Sequence, residues 1–236
     1  MPQGGPLPIP AAPEDLTAAW FSTLLTLHGQ PPDSVAMAVP EPLGVGQGFV
    51  GNTFRVRLSY WPFAEGGPAS VVVKLPAGNP RARAALAALR YYEREVRFYR
   101  DIAPLAPLNT PLCYHGAFDP ATGDAVLVLE DVADVTPGDD LDGCPPDRAA
   151  QVVERLAALH AGYWGRYGQP GLEWLPRFDQ DQPDVFFERV WRKMAIRHRH
   201  TLPADFPPIA EELCTRLSAF RARMSQAPLT VAHGDV

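Results

Sequence analysis

Two hydrophobic periods divide this chain, and the order in which they come is its strongest constraint. Between Val35 and Lys74 the period is two: Phe54, Val56, Leu58 and Tyr60 alternate with Arg55, Arg57 and Ser59, the pattern of a half-buried strand. Val71-Val72-Val73 predicts another strand, and the Gly- and Pro-rich stretch Trp61 to Pro68 joins the two as an antiparallel pair. A long helix is expected from about Arg81 to Ile102. Short strands follow around Leu112–Phe118 and Ala125–Leu129, separated by the turn signal Asp119-Pro120-Ala121-Thr122-Gly123-Asp124. After Glu130 the period becomes helical. Val152, Leu156, Leu159 and Tyr163 form one stripe over Asp147–Trp164, with His160 beside it as a core histidine. Helical or irregular segments then run to Gln226. Strands first and helices afterwards make an α+β chain in two lobes.

Composition narrows the function classes. With 46% hydrophobic and 20% charged residues, 236 residues can bury a core and do not read as a disordered chain. A net charge of −6 argues against a nucleic-acid-coating protein. No stretch approaches the roughly 18 apolar residues of a membrane span, and no basic start leads into an apolar run. Small molecules are the expected partners. Cys113, Cys144 and Cys214 form no CxxC or Cys/His cluster, so reduced thiols in the cytoplasm are expected. Residues 1–13, with five prolines and two glycines, read as a disordered tail. Residues 14–40 are an N-terminal helix, closed by Gly29, and a lead-in. Residues 41–132 form the first lobe, and 133–236 a mainly helical second lobe.

Several residues are placed where chemistry happens. Gly46-Gln47-Gly48-Phe49-Val50-Gly51 is a GxGxxG run, but a strand follows it where a dinucleotide fold would have a helix. A glycine loop between antiparallel strands fits a flap whose amides cover nucleotide phosphates, as in protein kinases; an ordinary glycine hairpin is the other reading of the loop alone. Lys74 closes the valine strand on the face of Val72. On the long helix Glu95 alone among the acids falls inside the apolar arc of Tyr92, Val96 and Tyr99, where an unpaired carboxylate is costly. Lys74 and Glu95 therefore suit the pair that holds a kinase lysine against the α and β phosphates. Glu93 instead pairs with Arg97 on the exposed face. The strand Val126–Leu129 leads into a connector whose main chain, at Glu130 C=O and Val132 N–H, is expected to meet adenine. The Glu130 and Asp131 side chains read as solvated. The closing His233-Gly234-Asp235 places Asp235 where a catalytic loop carries its base.

Taken in order, these segments resemble the phosphotransferase superfamily of aminoglycoside and choline kinases, and within it the ecdysteroid-kinase-like group. The resemblance runs through Gly46-Gln47-Gly48-Phe49, Val72-Val73-Lys74, Glu93-Arg94-Glu95-Val96-Arg97-Phe98-Tyr99, Leu127-Val128-Leu129-Glu130-Asp131, Leu156-Ala157-Ala158-Leu159-His160-Ala161 and His233-Gly234-Asp235. It implies a two-lobed protein-kinase-like fold, with a complete first lobe of antiparallel sheet plus one long helix and a partial helical second lobe. It also implies ATP with Mg²⁺ and transfer of the γ-phosphoryl to a hydroxyl of a small molecule. In place of the loop's usual valine stands Thr53.

In kinases a Mg²⁺-binding Asn follows the catalytic Asp by five residues, whereas here one residue follows Asp235. The expectation is a chain cut within the catalytic loop and inactive as it stands, with Val152, Leu156 and Leu229 short of apolar cover. The alternative is a pseudokinase-like module that binds nucleotide or a partner without catalysis. For the acceptor, Glu173, Asp179, Asp181, Asp184 and Glu188, interleaved with Trp174, Phe178, Phe186 and Phe187, suggest either a cage for a cationic alcohol or a solvated loop.

Overall fold

The computed structural model describes residues 7–43, 51–132, 143–177 and 184–232. The chain forms two compact units, residues 1–152 and 153–236, dividing inside a helix rather than at the connector. The first unit is built on a five-stranded antiparallel sheet, β1 (Val35–Pro42), β2 (Gly51–Tyr60), β3 (Ser70–Pro76), β4 (Cys113–Phe118) and β5 (Ala125–Glu130). Their spatial order is β1-β2-β3-β5-β4, so β3 lies at the centre. The β2/β3 and β4/β5 pairs match the sequence pattern. β1 is an addition that alternation did not reveal. It carries Pro40 and Pro42, which lack the ladder donor and are confined to edges.

Period two gives the sheet two different faces. Phe54, Val56, Val71, Val73, Val126 and Val128 point one way and meet α1 (Ala18–Thr26) through Trp20, Phe21, Leu24 and Leu25. Helix α1 starts at Thr17, whose Oγ1 accepts the Trp20 N–H at 3.2 Å. It ends before Gly29, whose φ of +86° is left-handed. The expected disordered tail is corrected here for residues 7–13. Leu7 and Ile9 pack on this core, and the Trp20 indole N–H donates to the Pro8 carbonyl at 2.8 Å.

The other face carries Val72, Leu127 and Leu129 and is covered by Val96. Here the single long helix is corrected to two: α2 (Pro80–Ala88) and α3 (Tyr91–Arg97), with a wider turn over Phe98–Ile102. The break is Arg90, left-handed at φ +55°, a conformation that costs a non-glycine residue roughly 1–2 kcal/mol. Its guanidinium grips Glu93 with two bonds of 2.7 and 2.8 Å across the first turn of α3. The Arg90 bond holds the Glu93 carboxyl below the usual range against the opposing effect of burial. The bend frees α2 from the core, so Ala85 is exposed, while Tyr92, Val96 and Ile102 stay buried as their spacing predicts. Gly116 on β4 lets α3 come close, because a Cβ there would lie 3.2 Å from Val96 Cγ1.

The helices α4 (Pro146–Tyr163), α5 (Asp184–Arg197) and α6 (Phe206–Met224) follow. In the second unit Trp191 of α5 meets Phe206 of α6 edge to face at 5.7 Å. Leu229–Ala232 pairs in no sheet among the described residues. It lies beside the end of α4 instead, through Gly165 N–H to Leu229 C=O at 2.8 Å and Thr230 Oγ1 to His160 C=O at 2.7 Å. His160 is half-buried. Val152 is exposed, and Leu156 and Leu229 are half-buried.

Candidate functional site

The site grows from β3. Alternation sends Val71 and Val73 into the α1 core and leaves Ser70, Val72 and Lys74 on the α3 side. Lys74 Nζ donates to Glu95 Oε1 at 2.5 Å, across the gap between the central strand and α3. Among the described residues, this is the pair of expected site residues brought into direct contact. Its side chains keep 40% and 35% of their surface in water. At such exposure an ion pair is worth about 0–1 kcal/mol, too little to explain the placement by stability. What it fixes is direction: Glu95 holds the ammonium on the α3 face of the sheet while both side chains stay partly in water.

Tyr92 accepts the Ala77 N–H at its hydroxyl oxygen, 2.9 Å, tying the start of α3 to the chain just beyond β3. Burial first, and the Glu95 carboxylate second, push the Tyr99 phenol up to about 12. It therefore stays protonated through the physiological range and adds no charge beside Glu95.

A second constellation was not foreseen. Asp131, expected to be solvated, has a side chain only 4% exposed. Arg55 of β2 holds it with Nε to Oδ2 at 2.7 Å and Nη2 to Oδ1 at 3.1 Å. Ser70 of β3 donates its hydroxyl to Oδ2 at 2.6 Å. Burial raises this carboxyl, and the bonds from Arg55 and Ser70 together with the Arg55 charge outweigh it, leaving it below its ordinary value. Glu130 is engaged as well: its N–H donates to Leu112 C=O at 2.8 Å, and its Oε2 accepts the Leu112 N–H at 3.0 Å. Alternation held the missed signal, since Arg55 lies on the face of Lys74, where a charge about to be covered needs a partner.

A model of the ecdysteroid kinase-like family matches residues 45–164, just over half of the chain. The chain belongs to the ecdysteroid kinase-like family. No curated protein and no solved structure matches it. The family is one of kinase-like phosphotransferases, and the mixed α and β architecture with its antiparallel sheet accords with a kinase-like fold. The matched span holds Gly46, Gly48, Gly51, Lys74, Glu95, Glu130 and Val132, and Asp235 lies beyond it.

Gly51 opens β2 opposite Pro76. Gly46, Gly48 and Asp235 lie outside the described residues, as do Phe178, Asp179 and Asp181 of the suggested acceptor cage. Of that cage's other members, Trp174 is buried and donates its indole N–H to Gly171 C=O at 3.0 Å. Glu173 accepts the Gly171 N–H at 2.8 Å, and Glu188 pairs with Arg192. These three are engaged within their own segments. Among the described residues no three His, Cys, Asp or Glu side chains stand together as a metal site, and none of their helices is long and apolar enough to cross a membrane.

Proposed function

We propose that the chain belongs to an ATP-dependent phosphotransferase that moves the γ-phosphoryl of ATP to a hydroxyl of a small molecule. The observation that carries this reading is the Lys74–Glu95 pair, held at 2.5 Å on the central strand yet open to solvent. In this reading Lys74 meets the α and β phosphates and Glu95 keeps it aimed. The amides around Gly46, Gly48 and Gly51 cover the phosphates, and the main chain at Glu130 C=O and Val132 N–H receives adenine. Asp235 accepts the proton as the acceptor oxygen attacks γ-phosphorus and ADP leaves. Mg²⁺ would supply charge neutralisation on the phosphates in that transfer, and no residue of this sequence is assigned to hold it. The acceptor is a small-molecule alcohol, with neither nucleic acid nor membrane as partner. A cytoplasmic location agrees with three free thiols.

Calorimetric titration of the purified chain with ATP, with and without Mg²⁺, tests the reading against Lys74→Met. ATP should bind, with little dependence on Mg²⁺. The substitution should weaken binding roughly tenfold or more, the loss of one bond to a charged group. Folded protein that ignores ATP, or a Lys74→Met variant that binds it equally well, would end the proposal.

A further inference from the structure

Asp131 stands out because its neighbours behave differently. It follows the last residue of β5, and Glu130 before it and Val132 after it are both exposed. Asp131 alone turns under the sheet, where its carboxylate collects bonds from Arg55 Nε, Arg55 Nη2 and Ser70 Oγ. A buried charge is a poor way to gain stability, since well-packed apolar side chains serve as well or better. What an ion pair of this geometry supplies is a fixed position: two parallel bonds from a planar guanidinium define both the place and the tilt of the carboxylate. The strand it is fixed to also matters. Ser70 and Lys74 lie on the same face of β3, four residues and so about 13 Å apart. One strand therefore carries the anchor of the connector at one end and the phosphate-directed lysine at the other.

We propose that Asp131 is a positioning residue for the base end of the nucleotide site: clamped by Arg55 and Ser70, it sets the main chain of the connector so that Glu130 C=O and Val132 N–H present themselves to adenine. This rests on the reading above that the connector receives the base. Glu130 adds a second tie on the opposite side, through its paired bonds with Leu112. The two ties hold successive residues of the chain, and the exposed Val132 follows them directly.

The proposal predicts a separation that a merely structural role does not. ATP carries base and phosphates, while inorganic tripolyphosphate carries phosphates alone, so the ratio of their affinities isolates what the base contributes. Asp131→Asn keeps the shape and loses the charge. It should lower the preference for ATP over tripolyphosphate about tenfold and leave tripolyphosphate binding unchanged. Lys74→Met should weaken both ligands and leave the ratio alone. Where Asp131→Asn fails to fold, Ser70→Ala removes one of the three bonds and should lower the ratio about threefold. A wild-type preference for ATP that persists in the folded variants overturns the role of Asp131 and spares the nucleotide site. Affinities for both ligands that fall together in Asp131→Asn overturn it too. A wild-type chain that binds tripolyphosphate as tightly as ATP removes the base contact itself, and this proposal with it.

Discussion

The two faces of the sheet are covered by opposite means. On the α1 side the cover is mainly apolar, and Phe21, Leu24, Val56, Val73, Val126 and Val128 are fully buried. On the α3 side an apolar patch around Val96, Leu127 and Leu129 is flanked by Lys74–Glu95 and Arg55–Asp131. One face supplies cohesion and the other spends part of its area on charges that need solvent or partners. A half-open face is where a ligand can enter, and it can stay half open because the opposite face is closed. Substitutions should therefore divide sharply. Phe21→Ala on the closed face should cost about 3–5 kcal/mol of stability, read by urea unfolding. A loss below about 1 kcal/mol would mean that α1 is an ornament on the sheet and not its main cover.

Acid should find the two faces in sequence. His115 on β4 faces Trp20, ring to ring at 6.2 Å, and its Nε2 has no hydrogen-bond partner among the described residues. Burial, and after it His28, push this imidazole below its ordinary 6.5. The unfolded chain then takes up a proton that the folded chain refuses, so stability is full above pH 6.5 and is lost as the pH falls below it. Asp131 is depressed below 3.8, so its contribution is present above that value and is lost only as the pH falls through its lower folded one. Urea unfolding between pH 7.5 and 5 should show a decline of at most about 1.4 kcal/mol per pH unit. His115→Gln should flatten that decline, and an unaltered slope in this variant would place the acid sensitivity elsewhere.

How much of this was legible in the sequence depends on what each residue must satisfy. Lys74 and Glu95 were legible because strand and helix periods each put a charge on an apolar side, and two such charges explain one another. The phase of Glu95 survived the misjudged helix because the break at Arg90 comes before it. Nothing local marks Arg90 as left-handed, since the conformation is held by Glu93 and by the docking of Tyr92 onto Ala77. Proline misled twice. In residues 7–13 it suggested disorder, where a tryptophan twelve positions from Pro8 supplies the anchor. In β1 it hid a strand that only an edge position permits. Asp131 was hidden by its neighbour, because two acids in a row read as a solvated linker and the arginine that claims one of them is far off in sequence, on β2.

The smallest expected effect on stability is also the sharpest test of the contrast. Lys74→Met keeps the long stem that packs on the sheet and removes only the charge. Glu95 then loses its partner, but with a third of its side chain in water it remains solvated and does not become a buried orphan. The stability change should stay within about 1 kcal/mol, while ATP binding falls as described above. A variant that loses several kcal/mol would make the Lys74–Glu95 pair a structural element of the same kind as Phe21. The two faces would then differ in composition but not in purpose, and the open side of the sheet would need another explanation.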